Sequence, residues 1–119
     1  MPRLEPALAK RIGALTGDDP ACCVADYKAE AKDARAKPAF ALALARAKAM
    51  SDEKRLTALA LLKRRGEMCA CEIQAALELT HGTVSHHMAT LEAARLVVGE
   101  KRGKWVHYAL HPDAEEVIP

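Results

Sequence analysis

The fold of this chain is decided by residues 68–108, which read MCACEIQAALELTHGTVSHHMATLEAARLVVGEKRGKWVHY. Their first half predicts two short helices joined by a tight turn, the second of them over residues 81–95. In that helix Val84, Met88 and Leu91 recur at spacings of four and three residues, which places them on one apolar face. The pattern is typical of a helix-turn-helix, although a helical hairpin within any α domain satisfies it equally well.

A predicted β-hairpin follows these helices. Residues 96–98 and 105–110 alternate in the manner of two strands, and the turn between them is basic and contains Gly103. A helix that enters the major groove, followed by a basic β-wing, is a specific combination for binding DNA. Ser, Thr and His donate to base edges or phosphates, and Lys and Arg pair with phosphates. The predicted DNA contacts are His81, Thr83, Ser85, His86, Lys101, Arg102 and Lys104.

Composition and charge fit a small, mainly helical protein. Of the 119 residues 50% are hydrophobic but only 3% are aromatic, so alanine and leucine supply most of the apolar mass and favour helices. The net charge of +2 does not by itself indicate a nucleic-acid partner, but basic residues concentrate at 95–104. The predicted fold class is therefore mainly α with a small β-hairpin, arranged as a winged helix-turn-helix.

Helix start and stop signals divide the chain into an N-terminal arm and a DNA-binding domain. Pro38 suits the first turn of a new helix. Asp52 can cap the next helix, and Gly66 can end it. We predict an N-terminal helical arm over residues 1–37, which carries Cys22 and Cys23, and a winged helix-turn-helix domain over residues 38–119.

The four cysteines indicate metal or redox chemistry. Residues 1–17 carry charges throughout and no stretch approaches the length of a membrane span, so we expect a cytoplasmic protein with no membrane partner. Thiols stay reduced in that compartment, which favours metal ligands or redox groups over structural disulfides. There is no Cys-x-x-Cys in a βαβ context and no Gly-rich cofactor loop, so a dithiol reductase or other enzyme is not expected.

Cys69 and Cys71 are separated by one residue at the start of a predicted helix. In extended backbone two such side chains point the same way, so both sulfurs can converge on one ion. The helix N-terminus is expected to lower the pKa of these thiols and to favour the thiolate that binds metal. The plain alternative is two small buried hydrophobic residues.

Several segments together resemble the ArsR/SmtB family of metal-sensing repressors, over residues 39–110. The resemblance implies a homodimeric winged helix-turn-helix repressor. Such a protein binds a palindromic double-stranded operator without any cofactor and releases it when a toxic metal binds. The segments are Ser51-Asp-Glu-Lys-Arg-Leu, Cys69-Ala-Cys-Glu-Ile, Thr83-Val-Ser-His-His-Met, Leu91-Glu-Ala-Ala-Arg-Leu-Val and Gly103-Lys-Trp-Val-His-Tyr-Ala-Leu.

The same resemblance assigns the cysteines. Cys69 and Cys71 match the family's Cys-Val-Cys box, but Gln74 stands where arsenic sensors of the enteric type carry their third cysteine. Other members supply N-terminal cysteines to the box, usually from the other subunit. The resemblance therefore implies three or four sulfur ligands, drawn from Cys69 and Cys71 with Cys22, Cys23 or both. The expected inducers are As(III) or Sb(III) first, and Cd(II) or Pb(II) second.

Two alternatives to a metal-sensing repressor remain, one with the same fold and one that does not bind DNA. A redox-sensing repressor would use the same cysteines to form a disulfide under oxidant, whereas a metal buffer would not bind operator DNA. The family's second metal site, on a C-terminal helix, is not expected here. We predict a solvated tail in its place, containing His111, Asp113, Glu115 and Glu116.

Overall fold

The computed structural model of the chain describes residues 5–17 and 20–119, with side chains in the second helix described from residue 23 onward. Within these residues every helix is too short or too polar to traverse a lipid bilayer. The helices are α1 Pro6–Thr16, α2 Pro20–Ala36, α3 Pro38–Met50, α4 Glu53–Arg65, α5 Ala70–Leu77 and α6 His81–Ala93; the strands are β1 Glu67–Cys69, β2 Val97–Arg102 and β3 Trp105–Leu110, followed by a 3₁₀ turn, Glu115–Val117.

The chain forms two compact units, residues 1–41 and residues 42–119. In the first unit α1 contacts α2. α1 ends where Gly17 adopts a left-handed conformation, φ 73°, and its N–H donates to the Gly13 carbonyl. None of the described side chains in this unit is buried. The first unit is therefore built on helix propensity with little apolar packing.

The second unit has a continuous hydrophobic core. α4 begins as predicted, because the Asp52 carboxylate accepts a hydrogen bond from the Arg55 N–H at 3.0 Å, and it ends at Gly66 with φ 87°. The core then joins α4, α5 and α6 to the sheet. Its largest fully buried side chains are Leu59, Leu62, Ile73, Met88, Leu91, Leu96, Ile118 and Val84.

The predicted hairpin is part of a three-stranded antiparallel sheet with the order β1-β3-β2. β2 and β3 pair from Val97 opposite Leu110 to Arg102 opposite Trp105. β1, which the sequence did not reveal as a strand of this sheet, adds to the other edge of β3 and places Cys69 opposite His107. The pairing ties the cysteine box directly to the wing.

The C-terminal segment corrects one expectation. Glu115 and Glu116 are exposed, but Ala114 and Ile118 are fully buried. The Ile118 carbonyl also accepts a hydrogen bond from the Lys63 ammonium at 2.6 Å. Of the four polar residues predicted to be solvated, Asp113, Glu115 and Glu116 are exposed and His111 is partly buried. The segment as a whole is not a solvated tail, because its apolar residues complete the core beside α4.

Candidate thiolate site and DNA interface

The cysteine box lies where β1 passes into α5. Cys69 is in extended conformation, φ −71° and ψ 147°, and caps the helix. Its N–H donates to the Glu72 carboxylate at 2.8 Å. Cys71 lies in the first helical turn, so the strand and the helix together bring the two side chains to one side, as the extended approach predicted.

The two sulfurs are in contact. The Cys71 thiol donates to the Cys69 sulfur at 3.0 Å. Cys69 is buried and Cys71 is exposed. An ion can therefore reach the pair from solvent through Cys71 and be chelated by both sulfurs.

The protonation of this pair differs from the sequence expectation. The pKa of the Cys71 thiol is raised, first by its hydrogen bond to Cys69, then by burial and by the charges of Cys69 and Glu72. The helix N-terminus was expected to lower it, and for Cys71 that expectation is wrong. The Cys71 thiol therefore keeps its proton at neutral pH, and an ion that binds this sulfur has to displace that proton.

The N-terminal cysteines belong to the other compact unit. Cys23 is partly exposed on α2, and its thiol donates to the Thr16 hydroxyl at 3.7 Å. The side chain of Cys22 lies outside those that the structure describes. Among the described residues no three His, Cys, Asp or Glu side chains are arranged to hold a metal ion. The box by itself thus presents two sulfurs, fewer than the three or four ligands by which proteins usually hold thiophilic ions.

The helix predicted to contact DNA is α6, which we call the reading helix, and it presents its polar residues to solvent. The Thr80 hydroxyl caps α6 by accepting from the Thr83 N–H at 3.3 Å. The helix runs to Ala93, two residues short of the predicted end. Its inward residues Val84, Met88 and Leu91 are buried as predicted. All of the predicted contacts on this helix are exposed: His81, Thr83, Ser85 and His86.

Arginines that the sequence did not single out hold α6 in place. Arg55 donates to the Ala49 carbonyl at 2.7 Å and to His87 Nδ1 at 3.2 Å. Arg46 donates to the Arg95 carbonyl at 3.0 Å, just beyond the end of α6. His87 therefore faces the protein, whereas its neighbour His86 faces solvent. The position of Arg55 within the Asp-Glu-Lys-Arg-Leu segment was the available signal.

The wing is exposed at its basic tip. Lys101 and Lys104 are exposed, and Gly103 adopts φ 63° at the turn between the strands. Arg102 is exposed as well, but it pairs with Glu67 and Glu100. His107 Nδ1 lies 3.3 Å from a Glu67 oxygen. The sequence missed this cluster because Glu67 joins it only through the pairing of β1 with β3.

Comparison with known proteins supports the family resemblance that the sequence indicated. Residues 52–98 match the family described as bacterial regulatory protein, arsR family. The arsenic resistance transcriptional regulator ArsR1 of Pseudomonas putida is 38% identical over 71 residues, 60% of this chain and 56% of that protein. A cadmium resistance transcriptional regulatory protein CadC homolog of Staphylococcus aureus is 35% identical over 63 residues, 53% of this chain and 52% of that protein. The chain thus spans little more than half the length of these relatives.

Solved structures show the same architecture. HlyU from Vibrio cholerae N16961 is 31% identical to this chain. The match covers 69% of this chain and 89% of the HlyU chain, with a TM-score of 0.63. A second similar structure is the homodimeric winged helix-turn-helix DNA-binding domain of Mb0332 from Mycobacterium bovis, with a TM-score of 0.65. The match covers 71% of this chain and 78% of the Mb0332 chain. Because the identity is only 24%, this similarity supports the fold and nothing further.

The helix-turn-helix α5–α6 and the paired strands β2 and β3 define a winged helix-turn-helix protein. With the matched segment and these relatives, the chain belongs to the arsR family of bacterial regulatory proteins.

Proposed function

We propose that this protein is a cytoplasmic transcriptional repressor, not an enzyme, that binds a palindromic operator as a homodimer and releases it when a thiophilic ion binds. One observation carries the proposal. The Cys69 and Cys71 sulfurs lie 3.0 Å apart at the start of α5, the helix that precedes the exposed reading helix. An ion chelated there acts on the element that supports the DNA-reading surface.

The DNA-binding half rests on exposure and charge. In a helix-turn-helix the N-terminal residues of the second helix contact base edges, and dimers match half-sites one helical turn apart. We assign base and phosphate contacts to the exposed side chains of α6, and phosphate contacts to the wing, where they add affinity without sequence choice. The assigned residues are His81, Thr83, Ser85, His86, Lys101, Arg102 and Lys104.

The ion-binding half rests on the sulfur pair and on what it lacks. As(III) and Sb(III) accept three sulfurs, and two are supplied by the box. We assign the third to Cys22 or Cys23, from either subunit of the dimer. Cd(II) and Pb(II), which accept three or four sulfurs, are the second choice. The names of two relatives, an arsenic resistance transcriptional regulator and a cadmium resistance transcriptional regulatory protein homolog, support this choice of ions.

The test is release from DNA. A labelled duplex from upstream of the protein's own gene is bound at fixed salt and titrated with arsenite, antimonite, cadmium, lead and zinc while anisotropy is measured. Cys69→Ser and Cys71→Ser should keep DNA affinity but raise the half-release concentration at least about tenfold, because coupling energies of about 1–3 kcal/mol are typical. Ala70→Ser, which adds a hydroxyl between intact thiols, is the matched control and should release normally.

The same titration tests the remaining ligand. Cys22→Ser and Cys23→Ser should each be measured singly and together, because only one of the pair needs to ligate. If Cys71→Ser releases DNA at the wild-type concentration, the box is not the sensor. If the wild type does not bind the duplex at all, the repressor assignment fails.

A second candidate is favoured by the same 3.0 Å approach of the two sulfurs, since a disulfide requires about 2.0 Å. Hydrogen peroxide would oxidise the two thiols to a disulfide and be reduced to two waters, which would also disturb the start of α5. Two measurements separate oxidant from metal as the signal. Free thiols are titrated after peroxide treatment, and release of DNA by metal is measured in anaerobic buffer. Release by oxidant alone would support the redox reading.

A further inference from the structure

The arginine of the wing is already bound within the free protein. Arg102 Nη1 and Nη2 reach the two oxygens of Glu67, the second at 3.2 Å, and Nη2 also contacts a Glu100 oxygen at 3.1 Å. A two-point pairing of guanidinium with carboxylate uses the same fork of donors that would otherwise bind a phosphate. We call Arg102, Glu67 and Glu100 the arginine clamp.

The sheet register places the three clamp residues on one face. Glu67 lies opposite Ala109, Glu100 opposite His107 and Arg102 opposite Trp105. Residues opposite one another in a pair, and alternate residues along β3, project from the same face of the sheet. Glu67 therefore reaches Arg102 across the central strand, and the contact joins the strand of the cysteine box to the strand of the wing.

The arginine clamp carries a net negative charge, although it lies beside the cationic residues of the wing. Two carboxylates and one guanidinium leave a net charge of about −1 on a wing whose neighbours, Lys101 and Lys104, are cationic. The side chain of Arg102 is 48% exposed and that of Glu67 is 44% exposed, so the contact is open to solvent and to exchange.

We infer that Glu67 competes with the DNA backbone for Arg102, so that the wing reaches a phosphate with this side chain only when the clamp opens. The inference rests on the proposed DNA-binding function and adds a residue that limits it. Removing the charge of Glu67 should therefore strengthen DNA binding, whereas a carboxylate that merely orders the wing would weaken binding when removed.

The experiment compares Glu67→Gln with Glu116→Gln, a matched loss of one exposed carboxylate at the C-terminal 3₁₀ turn. Affinity is measured by anisotropy over a range of salt concentrations for two duplexes of equal length. One is the duplex from upstream of the protein's own gene, called the promoter duplex, and the other has a random sequence. Exposed ion pairs are weak, so Glu67→Gln should bind about two- to fivefold more tightly than Glu116→Gln. The slope of log affinity against log salt should steepen by about one, the value for one added phosphate contact.

Arg102 supplies the decisive arm. Arg102→Gln should weaken binding more in the Glu67→Gln background than in the wild type, because there the guanidinium has lost its two-point partner and keeps only the single contact with Glu100. Thermal unfolding of each variant checks that the fold is retained. Equal effects of Arg102→Gln in both backgrounds, or weaker binding by Glu67→Gln, would overturn the inference.

The random duplex separates this inference from the proposed function. It presents phosphates without an operator. If the wild type shows no preference for the promoter duplex but the Glu67→Gln effect persists on the random duplex, the clamp stands and the operator assignment falls. If the promoter preference is present and neither duplex responds to Glu67→Gln, the clamp falls alone.

Discussion

The two compact units differ in how they bury apolar surface. In residues 42–119, Leu59, Leu62 and Ile73 are fully buried in one core. In residues 5–17 and 23–41, no described side chain is buried, and Leu15 is 86% exposed. The comparison separates two kinds of cysteine. Cys69 is held by a packed framework, whereas Cys23 is carried on a helix that gains little from apolar packing.

The strongest test of this comparison is a pair of leucine truncations. Leu59→Ala should lower the free energy of unfolding by about 2–5 kcal/mol, because it removes a fully buried side chain and leaves a cavity. Leu15→Ala should change it by no more than about 0.5 kcal/mol. Urea denaturation followed by circular dichroism measures both. A comparable loss for Leu15→Ala would mean that the first unit is packed against apolar surface after all.

A pair of glycines sharpens the comparison inside the second unit. A Cβ at Gly99 would lie 2.8 Å from a Glu92 oxygen and 2.8 Å from Tyr108 Cε1, so Gly99→Ala should destabilise by about 1–3 kcal/mol. A Cβ at Gly82 in α6 would meet nothing within 4 Å. Gly82→Ala should be neutral or stabilise by up to about 1 kcal/mol, since alanine is the better helix former.

Thermal unfolding of the two glycine variants, monitored at one pH and salt, is the measurement. Opposite signs would show that the sheet is tightly packed beside α6 while the start of α6 is open. Equal destabilisation would show instead that the reading helix is packed where the structure leaves space.

The smallest effect concerns the cap of α4. The pKa of Asp52 is lowered, first by its hydrogen bond with the Arg55 N–H. Its contribution to stability is therefore present above the unfolded pKa of about 3.9 and is lost as pH falls through the lower folded value. Asparagine caps a helix without titrating, so Asp52→Asn should lose less thermal stability than the wild type between about pH 5 and pH 3. Glu53→Gln, one residue on, is the control and should follow the wild type.

Local patterns predicted much of the fold. The stripe of Val84, Met88 and Leu91 predicted α6, and Asp52 and Gly66 marked the ends of α4, because such signals act within a few residues. The alternating strands and the basic turn predicted the wing. The family resemblance, carried by these same segments, is confirmed.

Pairings between distant segments were missed. Three residues, Glu67–Cys69, are too short to reveal a strand by alternation, and so the neighbourhood of His107 and the clamp at Arg102 remained hidden. The raised pKa of Cys71 was missed because the sulfur contact outweighs the helix N-terminus. Ala114 and Ile118 are only two apolar residues in a short segment, too few to define a periodic pattern, so the sequence did not predict their burial beside α4. The roles of the four cysteines and of the exposed residues on α6 and the wing stay predictions.

The exposure of Trp105 has a practical consequence. It is the single tryptophan of the chain, it is 56% exposed, and it lies opposite Arg102 on the adjacent strand. Indole emission depends on the solvent around the ring. The protein therefore carries its own fluorophore at the wing, and the unlabelled chain can report optically on events at Arg102.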